Sequence, residues 1–137
     1  MNGNFLSLVR HYGVALAIFV VADMIWLGIM APRFYKPIMG DIAVAGVNLA
    51  PAVAFYAIYP IGLLIFSIEP SLRTGSIFGA PLSGALFGFF TYLTYDLSNQ
   101  ATLRSWTTAL TLVDITWGAL LGAMTAALTA FVFTRLV

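Results

Sequence analysis

The chain has 137 residues, 61% of them hydrophobic and 8% charged, with a formal net charge of +1 and a mean hydropathy of +0.99. A soluble globular domain carries about 25% charged residues, so the composition excludes that class and points to an integral membrane protein. Near-neutral charge argues against nucleic acid as a partner. The lack of cysteine removes disulfide and thiolate chemistry, and a single histidine, His11, removes histidine-rich metal centres.

Four apolar segments approach the roughly 20 residues that cross a bilayer core. The first covers about 12–31 and is closed by Pro32. It is too long for the apolar core of a signal peptide and holds Asp23, so it reads as a transmembrane helix rather than a cleaved leader. Residues 32–48, PRFYKPIMGDIAVAGVN, read as a long loop carrying a short interfacial stretch, with Phe34, Tyr35, Ile38 and Met39 placed to touch lipid. The second helix is expected at about 49–68 and is followed by a tight turn, EPSLRTG, at 69–75. The third is expected at about 76–95, and residues 96–106, DLSNQATLRSW, form the most polar connection. The fourth is expected at about 107–134 and is long enough to tilt. The fold class is therefore all-α: a single-domain, four-helix transmembrane bundle over 1–137.

Four spans put both termini and the 69–75 turn on one side, called here the terminal side. The 32–48 and 96–106 connections lie on the other, the loop side. Arg10, Arg73 and Arg135 face Arg33, Lys36 and Arg104 across the bilayer, so the positive-inside rule assigns no orientation. Arg10, Arg73 and Arg135 read as headgroup anchors, and His11 as an interfacial residue. Gly84 and Gly88 form a G-x-x-x-G in the third helix, and Gly118, Gly122, Ala126 and Ala130 continue a small-residue stripe down the fourth. Such stripes allow close backbone approach. Packing within one chain is the favoured reading, with a homo-oligomer seam as the alternative.

Two segments share a pattern. Residues 20–28 read VVADMIWLG and residues 112–118 read LVDITWG, so an Asp-x-x-Trp lies inside each of two apolar helices. At 1.5 Å per residue, Asp23 lies roughly 12 Å and Asp114 roughly 10 Å below the loop-side surface. Asp96 lies above them, at the end of the third helix. An aspartate at mid-helix costs about 2.5–3.5 kcal/mol on insertion scales, so three acids in one leaflet call for a reason. Arg33, Lys36 and Arg104 are on the same side and are candidate partners. Thr107, Thr111, Asp114, Thr125 and Thr129 form a polar stripe on the fourth helix. Tyr92, Tyr95, Tyr56 and Tyr59 add hydroxyls, and Pro60 leaves the Tyr56 carbonyl without its helical donor. These residues together predict a polar cavity opening toward the loop side. Trp26 reads as an interfacial anchor, whereas Trp117 points deeper. No cofactor is implied. The acids are spread over three helices with no ligand spacing, so no metal site is assigned.

The stretch TYDLSNQATLRSW (94–106), followed by LVDITWG (112–118), resembles a family of predicted bacterial membrane proteins, domain of unknown function family 2177. VADMIWLG and FYKPIMG (34–40) fit the same resemblance, which spans nearly the whole chain. It implies a small multi-pass protein of the bacterial inner membrane and supplies no activity. It adds weight to Asp23, Asp96, Asn99, Thr102, Asp114, Trp117 and Gly118.

Three functions compete. One is a ligand- or ion-binding protein, such as a proton- or cation-coupled transporter, with its site at Asp23, Asp96, Asn99, Thr102, Thr111, Asp114, Trp117, Tyr92 and Tyr56. The second is an intramembrane enzyme acting on a lipid or isoprenoid, with Asp114 and Asp23 as general acid and base. The third is a non-catalytic accessory subunit of a larger membrane complex. Membrane lipids are the partners common to all three.

Overall fold

A computed structural model of the chain describes residues 2–76 and 78–136, with side chains from Asn4 onward. No strand occurs among the described residues. The chain forms four helical rods. The first comprises α1 (Asn2–Met30), a π-helical turn (Ala31–Tyr35), α2 (Lys36–Met39) and a 3-10 turn (Gly40–Ile42). The second comprises α3 (Leu49–Leu63), a π-helical segment (Leu64–Ile68) and α4 (Glu69–Thr74). The third is α5 (Gly79–Thr102). The fourth is α6 (Thr108–Phe131) with a π-helical end, Val132–Leu136.

The helices outrun four expected boundaries, the first of them at the start of α1, which begins at Asn2 rather than near residue 12. The 32–48 segment is helical as far as Ile42, with Pro32 taken up inside the rod by the π-helical turn that begins at Ala31. Residues 69–74 form α4 rather than a turn. Pro70 follows the π-helical segment Leu64–Ile68 in the same way, and Gly75 (φ 64°, ψ 20°) ends the helix in the left-handed conformation that suits glycine. The third helix runs on to Thr102. Its polar residues cap local carbonyls, with Ser98 donating to Thr94 and Thr102 to Ser98, so polarity there does not interrupt the helix. Thr107 then caps α6 by accepting from the Leu110 N–H at 3.1 Å.

Neighbouring rods run antiparallel. His11 meets Glu69 and Tyr56 meets Asp23 between the first and second rods. Tyr59 meets Thr91 and Ser83 meets Ser67 between the second and third. Between α5 and α6, a Cβ at Gly84 would strike the Gly122 carbonyl, and one at Gly88 the Gly118 carbonyl. The two small-residue stripes therefore close on each other within one chain.

Three rods are long and apolar enough to cross a membrane. The third, α5, falls short in hydropathy because its inner face carries Gly84, Gly88, Thr91 and Asp96. Its outer face exposes Leu82, Leu86, Phe89 and Phe90. It packs lengthwise on α6. The bundle as a whole is inverted relative to a soluble one. Val21, Ile25, Val53, Ile58, Phe66, Leu112 and Leu120 are exposed, while Asp23, Asp96, Ser67, Thr111, Thr125 and Thr129 are buried. Apolar surface on this scale is stable only against lipid.

Candidate functional site

The spacing of Asp-x-x-Trp puts both side chains on one helix face, one turn apart. Because α1 and α6 run antiparallel, the aspartate of each motif comes opposite the tryptophan of the other. The Trp117 indole N–H donates to Asp23 Oδ1 at 2.9 Å. The Trp26 indole N–H donates to the Tyr35 hydroxyl at 2.9 Å, and that hydroxyl donates to Asp114 Oδ1 at 2.7 Å. The two indoles stack with centroids 4.3 Å apart and planes 2° apart. Tyr56 completes the set, donating to Asp23 Oδ2 at 2.6 Å. Each acid thus accepts a tyrosine hydroxyl, and a crossed pair of tryptophans braces both.

The third acid is handled differently. Asp96 is fully buried, and among the described residues neither of its carboxyl oxygens has a donor in good hydrogen-bond geometry. It lies beside Asp114, near Trp106. The indole N–H of Trp106 is instead directed at the Thr111 hydroxyl, 3.1 Å away, and Thr111 donates to Gln100 Oε1 at 2.8 Å. The cluster is roofed on the loop side by residues 31–42. Tyr35, Trp106 and Leu110 form a small core there, with Trp26, Phe34, Ile38 and Met39 packed against it.

Most of the expected residues gather here: Asp23, Tyr56, Asp96, Thr111, Asp114 and Trp117. Tyr92 is part of the same interior, its ring against Gly118 and at right angles to Tyr59. Two expected residues do not join. Thr102 is exposed, and its hydroxyl bonds the Ser98 carbonyl of its own helix. Asn99 is half-buried near Tyr95, and its carbonyl takes the Leu103 N–H that closes α5. Within the polar stripe of α6, Thr107 serves as the helix cap. Thr125 and Thr129 are buried on the terminal side of Leu121 with unpartnered hydroxyls.

Four readings are corrected. Tyr35 does not face lipid; the π-helical turn after Pro32 directs it inward, to 7% exposure and onto Asp114. Trp26 is a brace of the site rather than an interfacial anchor. Arg33, Lys36 and Arg104 are exposed, and among the described residues none of them pairs with an acid. His11 Nδ1 instead meets Glu69 Oε1 at 2.5 Å on the terminal side, so His11 is more than an interfacial residue. Gln100 and Trp106 were also missed, since each gains its partner only through the short α5–α6 connection.

Two open spaces flank the bundle. A shallow groove of about 350 Å³ faces the bilayer along Trp26, Leu112, Val113, Thr116, Trp117 and Leu120. A larger cleft of about 890 Å³ opens on the terminal side, between the end of α4 and the end of α6.

No curated protein and no solved structure matches the chain. Residues 8–131 match the family described as predicted membrane protein (DUF2177). That match takes in every residue of the acid cluster and nearly the full length of all four rods, and the chain belongs to this family.

Proposed function

We propose that Asp96 and Asp114 form a proton-binding site, and that the protein moves protons across a bilayer, alone or coupled to a solute. The observation that carries this reading is the pair of unpartnered oxygens on a fully buried Asp96 beside a second carboxyl. A buried carboxylate without hydrogen bonds is strongly disfavoured, and two adjacent carboxylates resist joint ionisation. A single proton held between them relieves both costs. Tyr35 orients Asp114, Trp26 orients Tyr35, and Asp23 stands one turn deeper as the next acceptor. A metal cation is the weaker occupant. Among the described residues, no three of His, Cys, Asp or Glu are arranged to hold one. We infer a bacterial inner-membrane location from the resemblance carried by the 94–106 and 112–118 segments.

The test is proton flux into proteoliposomes under an imposed membrane potential, read with an entrapped pH dye. Wild-type protein should acidify the lumen, and Asp96→Asn and Asp114→Asn should abolish the signal. Equal flux in wild type and both variants would remove the proposal.

One observation favours a second reading, acid–base chemistry on a lipid or isoprenoid. The groove along Trp26 and Trp117 opens to the bilayer, and the same two indoles hold Asp23 and, through Tyr35, Asp114. A lipid chain lying there would bring its polar end toward the acids. A lipid species that accumulates with wild type and vanishes with Asp114→Asn, measured by mass spectrometry of extracts, would support this reading over transport.

A further inference from the structure

The terminal-side cleft lies at the opposite end of the bundle from the acid cluster, and the proton-site reading leaves it unused. Its volume is about 890 Å³. The polar part of its wall is supplied by Ser71, Ser76, Thr134 and Arg135, and the apolar part chiefly by Leu128 and Phe131. Among the described residues, no acidic side chain lines it. Among the described residues, no carboxylate lies within ion-pair distance of Arg135. Glu69, the acid nearest in sequence to this end of α4, is engaged by His11.

The hydroxyls are gathered rather than scattered. The position a Cβ would take on Gly79 is 2.9 Å from Ser71 Oγ and 3.0 Å from Ser76 Oγ, so both hydroxyls converge on the first residue of α5. Ser71 is only 6% exposed. The Ser76 hydroxyl accepts the Gly79 N–H at 3.0 Å and so caps the 24-residue helix α5. Arg135, Ser71 and Ser76 thus bring a guanidinium and two hydroxyls to this end of the cleft, with no acidic side chain beside them among the described residues. Leu128 and Phe131 lead from that corner onto the exposed apolar flank of α6.

We propose that this cleft binds the phosphodiester headgroup of an anionic membrane lipid, with the acyl chains lying along Leu128 and Phe131. The lack of an acidic side chain among the described residues of the wall selects against zwitterionic headgroups, whose ammonium group would find no partner. The apolar flank selects a lipid over a free phosphate.

The experiment is native mass spectrometry of the full chain released from nanodiscs of phosphatidylcholine, with and without added phosphatidylglycerol. A further arm adds inorganic phosphate to the phosphatidylcholine nanodiscs. Wild type should retain phosphatidylglycerol in preference to phosphatidylcholine. Arg135→Gln should lower retention about fivefold, the weight of one basic side chain at an anionic surface. Arg135→Lys should restore most of it, and Arg104→Gln, on the loop side, should leave it unchanged. Helical content by circular dichroism confirms that each variant is folded, and Ser76→Ala gives a second, milder reduction that does not touch charge. Equal retention of the two lipids would overturn the proposal. So would full retention by Arg135→Gln, an equal loss with Arg104→Gln, or binding of inorganic phosphate without binding of the lipid.

Discussion

Replacing Trp117 with phenylalanine isolates the crossed brace. The substitution removes the indole N–H that reaches Asp23 Oδ1 at 2.9 Å and shrinks a ring stacked 4.3 Å from Trp26. Hydrogen bonds to charged groups are worth about 1.5–3 kcal/mol in soluble proteins, whereas interhelical bonds within membranes average only about 0.6 and reach about 1.7. Asp23 is 4% exposed, and its other oxygen is already held by Tyr56, so no second donor stands ready to replace the indole. The upper membrane value applies, giving about 1.5 kcal/mol for the bond. The weakened stacking adds about 0.5 kcal/mol. Trp117→Phe should therefore lower stability by about 2 kcal/mol, measured by reversible unfolding in mixed micelles. In an Asp23→Ala background the same change should cost only the stacking part, because the acceptor is gone. The cycle is the decisive comparison. A Trp117→Phe cost that is the same with and without Asp23 would refute the brace.

Other outcomes follow from the same geometry. Gly88→Ala should destabilise by about 1–3 kcal/mol, since its Cβ would meet the Gly118 backbone carbonyl, which cannot step aside. Gly28→Ala has nothing within 4 Å of its Cβ and should be neutral or stabilising by up to about 1 kcal/mol in the same assay. Thr102→Ala should leave both flux and stability within about 0.5 kcal/mol of wild type, as an exposed hydroxyl bonded within its own helix. Tyr35→Phe frees Asp114 Oδ1 and leaves the Trp26 N–H without its acceptor. It should cost about 1–2 kcal/mol in unfolding and reduce proton flux, measured in parallel.

The apolar segments were legible in the sequence because transfer to lipid is a property of composition. So was the convergence of Asp23, Asp96 and Asp114, because helix rise converts residue number into depth. The helix ends were less legible. Hydropathy reports transfer into lipid, not helicity, so it stopped the third helix near Tyr95, although the chain stays helical to Thr102. The facing of Tyr35 was not legible at all. It depends on the wide turn after Pro32, which re-aims the next residues by an angle that no periodicity records. Trp26 looked like an anchor because its depth fits one. Only the antiparallel register of α1 against α6 shows that it answers the motif on the other helix. The Asp-x-x-Trp pattern itself was visible, but its meaning as a crossed brace is a tertiary fact.

The central claim is that Asp96 and Asp114 share a proton. Infrared difference spectroscopy of the full chain in lipid, in the region where protonated carboxyl groups absorb, tests this most directly. The account predicts a protonated-carboxyl band at neutral pH in wild type that disappears in Asp96→Asn. A spectrum with no such band, or a band unchanged by Asp96→Asn and by Asp114→Asn alike, would contradict it.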